Sequence, residues 1–164
     1  MEKLCVDNLP VDKIAGKKIL VRVDFNVPLS VLPDKSVKIL DDARIRAALE
    51  TIEYLISKDA KVILCSHFGR PKGCPVDELS LAIVATRLSE LLGGRRVVFT
   101  HDCIGADVDR AKDSMTDRSV LLLENLRFHP EEEMNDQDFG RKLMKGVDVY
   151  VNDAFGSSHR GTSY

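Results

Sequence analysis

DDARIRAALETIEYLISKDAKVILCSHFGRPKG, residues Asp41–Gly73, carries three patterns in succession. Behind the two aspartates, Ile45, Leu49, Ile52, Leu55 and Ile56 recur at the three-to-four-residue spacing of one helix face, and an aspartate pair suits a helix start. KVILCS, Lys61–Ser66, is then a short apolar run with the look of a buried strand. The chain turns polar at once, with His67, Gly69, Arg70, Pro71 and Gly73 in quick succession. Helix, buried strand and polar loop in that order form the unit of a parallel α/β sheet.

The same alternation extends in both directions. Upstream, KILVRVDF (Lys18–Phe25) reads as a strand. Downstream, LAIVATRLSELL (Leu81–Leu92) reads as a helix, with Ser80 as N-cap and Gly93-Gly94 as its stop. VVFT (97–100), a helix over 106–115, VLLLE (120–124), a helix over 136–145 closed by Gly146, and VDVYV (147–151) complete the pattern. Strands that alternate with helices predict an α/β, Rossmann-like three-layer domain, with a mostly parallel sheet and helices on both faces. Val21, Val23, Ile63, Leu64, Leu122 and Val149 are its expected sheet core. No repeat or linker divides the 164 residues, so one domain is expected over 1–164.

Lys plus Arg (24) nearly balances Asp plus Glu (26), which leaves no global field to gather nucleic acid or an anionic membrane. No apolar run reaches membrane-spanning length and no signal or presequence pattern opens the chain, so a cytoplasmic protein is expected. Cys5, Cys65, Cys74 and Cys103 show no C-x-x-C spacing and read as reduced thiols. Cys65-x-His67 and His101-x-Cys103 follow adjacent strand-like runs and form a possible zinc set, although the spacing is not that of a knuckle.

In an open α/β sheet, ligands bind beyond the carboxyl ends of the strands. The loops at those ends supply Asp24 and Asn26, then His67 and Arg70, then Asn125 and Arg127, and finally Asn152, Asp153, His159 and Arg160. Arg44, in the first turn of the first helix, can reach the same rim. A guanidinium donates two parallel hydrogen bonds, so arginines from several loops at one edge point to a small phosphate or carboxylate. Arg46, Arg87, His129 and Glu131 to Glu133 read as solvated, and His101 as a loop histidine. Neither a G-x-x-x-x-G-K-[ST] loop nor a G-x-G-x-x-G turn is present to cradle a nucleotide.

VRVDFNVP, DDARIRAAL, SHFGRPKG, LLENLRFHPEEE and VNDAFGSSHR, in this order from Val21 to Arg160, resemble the amino-terminal domain of phosphoglycerate kinase. The resemblance implies half of a two-domain enzyme that transfers a phosphoryl group between 1,3-bisphosphoglycerate and ADP, giving 3-phosphoglycerate and ATP. It implies that Asp24, Phe25 and Asn26 meet the glycerate end with Arg22 beside them. Arg44 would reach the carboxylate and the transferring phosphoryl group, as the catalytic residue. His67, Phe68, Gly69, Arg70, Arg127 and Arg160 would complete a basic substrate patch. No cofactor and no metal is implied for this chain. Mg-ATP or Mg-ADP would bind a carboxyl-terminal nucleotide domain, expected to follow Arg160 and absent here. FGSSHRGT departs from the family's frequent FGTAHRAH, so Thr162 stands where a histidine is common, and Glu50 replaces a frequent proline. The alternatives are a short anion-binding paralogue without catalysis, or the zinc-structured domain. From Ser157 onward the chain is expected to be mobile.

Overall fold

The computed structural model describes residues 10–153. Five parallel strands form the main sheet: β1 (Lys18–Val23), β4 (Lys61–Cys65), β5 (Val97–Phe99), β6 (Val120–Leu122) and β7 (Val149–Asp153), in the order β5-β6-β4-β1-β7. The helices are α1 (Ala43–Ser57), α2 (Ala82–Leu91), α3 (Ala106–Asp113), α4 (Pro130–Glu133) and α5 (Gln137–Met144).

Alternation along β1 explains the layers, because successive side chains leave opposite faces. Ile19, Val21 and Val23 pack with Ile45, Ile52, Leu55, Val84 and Leu88 of α1 and α2. Leu20, Ile63 and Leu121 pack with Val108 of α3 and Phe139 of α5 on the other side. Of the expected core, Val21, Val23, Ile63, Leu64 and Leu122 are buried, while Val149 on the edge strand β7 is half-buried. A lysine joins the second layer: buried Lys112 of α3 donates from Nζ to the Leu143 and Lys145 carbonyls at 2.8 and 2.9 Å. It thereby satisfies carbonyls at the α5 carboxyl end, where a cation is favoured.

Several local expectations need correction. A hairpin, β2 (Leu29–Val31) with β3 (Val37–Ile39), occupies a segment to which the sequence pattern assigns no element. Asp34 Oδ1 closes its turn by accepting from Ser36 N and Oγ, a side-chain device that hydrophobic periodicity does not register. α2 begins after Leu81, and Ser80 instead donates to Glu124 while accepting from Ala82 N. Glu131 to Glu133, expected as solvated charge, form the short helix α4, and Pro130 at its first position sets the turn. Strand β1 ends at Val23, because Phe25 leaves the ladder to donate its N–H to Ser66 Oγ. Among the described residues, no helix is long and apolar enough to cross a membrane.

Candidate functional site

The carboxyl ends of β1, β4 and β6 meet at one rim, where two side-chain amides, half-buried Asn26 and buried Asn125, join the loops. Asn26 Oδ1 accepts from Gly69 N at 2.9 Å, tying the β1 loop to the β4 loop. Gly69 has φ +62°, and a Cβ there would stand 2.6 Å from Leu79 Cδ2, so a larger residue would be strained and would have to displace the Leu79 side chain. Asn125, fully buried, accepts from Phe68 N and Arg127 N through Oδ1, both at 3.0 Å. Its Nδ2 donates to the Phe68 and Leu79 carbonyls. Beneath it, the Glu124 carboxylate accepts from Ser80 Oγ, Leu81 N and Asn125 N at 2.7–2.9 Å.

On this frame stand the charged groups. Asp24 Oδ1 accepts from Asn26 N and from Arg44 Nη1, and Arg44 Nη1 also donates to the Asn26 carbonyl at 2.9 Å. The loop thus orients an arginine that is otherwise half exposed to solvent. Arg22 lies opposite Cys65 and Asn152 in the strand register and donates to Glu132 Oε1 at 2.9 Å. Arg127 Nε lies 3.4 Å from the other oxygen of the same carboxylate and 3.5 Å from Glu133 Oε1, yet this buried nitrogen makes no hydrogen bond. Glu132, with an 11% exposed side chain, therefore stands between two of the expected ligand arginines. Half-buried His67 is held below the ordinary histidine range by burial and then by the Arg127 charge, with Arg22 acting in the same direction and Asp24 against it. Arg70 is exposed and pairs with no carboxylate among the described residues.

The structure therefore brings Arg22, Asp24, Asn26, Arg44, His67, Gly69 and Arg127 to one rim. Phe25 and Phe68 belong to the motifs but not to the solvent-facing site: their side chains are buried in the core, and only their backbones join the loop network. Asn125 is likewise a fastener whose amide is fully occupied. Arg160 and His159 lie outside the described residues. At the end of β7, burial raises the Asp153 carboxyl, opposed by a Thr51 hydrogen bond.

Other expectations change as well. Glu132 and His129 are not solvated; His129 pairs with Asp102 at 2.7 Å and its ring packs on Phe139. Sequence reasoning missed Glu124 and Glu132. The first was legible as a carboxylate closing an all-apolar strand, the second as an acidic residue one turn beyond Arg127. Arg46 and Arg87 share Asp42 across α1 and α2, and neither pairs with a rim group. The Cys65/His67/His101/Cys103 set does not assemble. Cys65 is buried on β4, its thiol pushed up to about 11 by burial, and His101 is exposed beside Phe99. Cys65, Cys74 and Cys103 are free thiols.

A family model described as phosphoglycerate kinase matches residues 7–163. The chain belongs to the phosphoglycerate kinase family. Phosphoglycerate kinase from Rippkaea orientalis is 58% identical over 160 residues, covering 98% of this chain and 38% of that relative. The Synechococcus elongatus enzyme is 54% identical, covering 98% of this chain and 39% of its own length. Among solved structures, phosphoglycerate kinase from Pyrococcus horikoshii superposes with a TM-score of 0.77 at 35% identity, covering 90% of this chain and 36% of that one. The Coxiella burnetii enzyme gives 0.77 at 30% identity, covering 96% and 37%. The chain thus spans well under half of the length of these phosphoglycerate kinases and corresponds to their amino-terminal portion.

Proposed function

We propose that the rim holds 3-phosphoglycerate or 1,3-bisphosphoglycerate as the acceptor side of phosphoglycerate kinase. The observation that carries this reading is the convergence of Arg44 from the first turn of α1 with His67 and Arg127 from the loops after β4 and β6, all fastened through Asn26 and Asn125. Arg70, which pairs with no carboxylate among the described residues, extends the same patch toward the phosphate, the family resemblance adds Arg160 to it, and Asp24 and Asn26 offer acceptors to the glycerate hydroxyl. Phosphoryl transfer requires positioning and charge neutralisation more than covalent chemistry, which suits a site built of guanidinium groups. Arg44 is the group assigned to the transferring phosphoryl, because Asp24 and the Asn26 carbonyl hold its fork at the rim's edge.

These 164 residues contain no nucleotide-cradling glycine loop, so we place Mg-ATP or Mg-ADP on the portion of the relatives' length that the chain does not span. Holding acceptor and donor in line contributes about 7–11 kcal/mol in well-oriented reactions. The 164-residue chain alone is therefore expected to bind phosphoglycerate weakly and to show no kinase turnover.

Titration calorimetry tests the binding map. Arg70→Ala and Arg127→Ala are each expected to weaken 3-phosphoglycerate binding about tenfold, in the range of a charge-assisted hydrogen bond, and Arg46→Ala to leave it unchanged. Equal losses in all three would reject the map. A coupled kinase assay, with Arg44→Ala in parallel to exclude host enzyme, tests the rest. Turnover that depends on Arg44 would show that the chain is more than a binding half.

A further inference from the structure

A different set of residues gathers at the mouth of the β5–α3 loop. Ligand atoms of Asp102, Cys103 and His129 all lie within 4.8 Å of one another, joining that loop to the segment after β6. The geometry points to a divalent transition-metal site of the zinc class at Asp102, Cys103 and His129, built from side chains other than those of the phosphoglycerate rim.

Three observations carry it. First, the spacing is close to that of a coordination shell. Tetrahedral zinc with its usual bond lengths to sulfur, imidazole and carboxylate places neighbouring ligand atoms about 3.4–3.6 Å apart. His129 Nε2 and Asp102 Oδ1 stand at 2.7 Å, and the thiol lies within 4.8 Å of both, so small adjustments reach that shell. Second, the other face of the histidine is provided for. Its Nδ1 faces Glu131 Oε2 at 3.9 Å, and that oxygen is buried without a hydrogen-bond partner. A carboxylate behind the non-ligating ring nitrogen is the arrangement that fixes metal-bound histidines, and it gives the orphaned oxygen a function. Third, the imidazole is already aimed: its ring packs on Phe139 with centroids 5.4 Å apart.

The donor set selects the ion. One sulfur, one imidazole and one carboxylate suit zinc, cobalt or copper, whereas magnesium and calcium take oxygen ligands. Three protein ligands leave a fourth position for water, and the half-exposed Asp102 marks the side from which an ion enters. Coordination would replace the thiol proton with the metal and release that proton to solvent.

Cobalt(II) is the probe, because tetrahedral thiolate coordination gives it a near-ultraviolet charge-transfer band and strong visible absorption. Titrated into the 164-residue chain, it is expected to produce both at one equivalent, and zinc(II) should displace it. Cys103→Ser should abolish the thiolate band, and Asp102→Asn should weaken binding at least tenfold. Glu131→Gln should weaken it about tenfold, the low end for a lost outer-shell partner. Cys5→Ser and Cys74→Ser should leave the band unchanged. If Cys103→Ser does not fold, His129→Asn takes its place and should also abolish tetrahedral absorption. Absence of a thiolate band, or a band that survives both the Cys103 and His129 changes, would overturn the site and leave Asp102–His129 as a plain ion pair.

Discussion

Two sets of polar residues share the rim and are used in opposite ways. Asn125 and Glu124 are buried with their hydrogen-bonding capacity directed inward, onto Phe68, Leu79, Leu81 and Arg127 backbone groups. Arg22, Arg44, Arg70 and Arg127 reach outward, and one of them keeps a buried Nε without a hydrogen bond. The difference separates construction from binding. A neutral amide can satisfy four backbone groups in the interior at no electrostatic cost, whereas a guanidinium must stay near solvent or a counter-charge. A loop that carries several arginines thus depends on buried amides for its shape.

The largest expected effect breaks the construction side. Asn125→Ala would strand Phe68 N–H, Arg127 N–H and the Phe68 and Leu79 carbonyls in the interior. Buried groups left without partners cost about 1–3 kcal/mol each, and partial relaxation brings the expected loss to about 3–5 kcal/mol. Urea denaturation measures it. Arg127→Ala, which leaves the amide network in place, should change stability by less than about 1 kcal/mol. Comparable losses in the two variants would erase the distinction.

Legibility in the sequence followed the same division. The parallel layers were readable because burial on both faces forces apolar runs such as KVILC, and the α1 face repeats at helical spacing. The topological rule then located Asp24, His67 and Arg127 without any contact information. The roles of Phe25, Phe68 and Asn125 were not readable, since a residue in a polar loop motif looks the same whether its side chain faces ligand or core. Glu132 was misread for a related reason: three successive glutamates look solvated until the helix places one of them against Arg22.

Glu132 offers a smaller, sharper test. Glu132→Gln keeps an oxygen to accept from Arg22 while removing the negative charge between Arg22 and Arg127. A phosphate dianion should then bind about three- to tenfold more tightly at low salt, with the gain shrinking as ionic strength rises. Calorimetry at two salt concentrations measures both. Weaker binding in Glu132→Gln would mean that the charge, and not the acceptor geometry, holds the arginines in place, which would put Glu132 with Asn125 and Glu124 in the construction group.

The smallest effect concerns His67, half-buried at the rim within the field of Arg127. Its imidazole is held below 6.5 first by burial and then by the positive charge of Arg127, so the folded chain resists protonating it. The sign follows from linkage. With the unfolded value higher than the folded one, acidification through 6.5 protonates the unfolded chain first, and stability falls until the folded histidine also titrates. Bound phosphate should reverse the local balance by placing negative charge opposite Arg127, so the His67 value should rise when 3-phosphoglycerate is added and a fraction of a proton should be taken up. Proton NMR of the His67 ring, followed from pH 5 to 8 with and without ligand, reads both values in the same molecule. A free-chain value above 6.5 would show that Asp24 and Glu132 dominate the rim field and that the arginines are already neutralised before substrate arrives. A depressed value that ligand leaves unmoved would place the phosphate away from His67, on the Arg44 side of the rim.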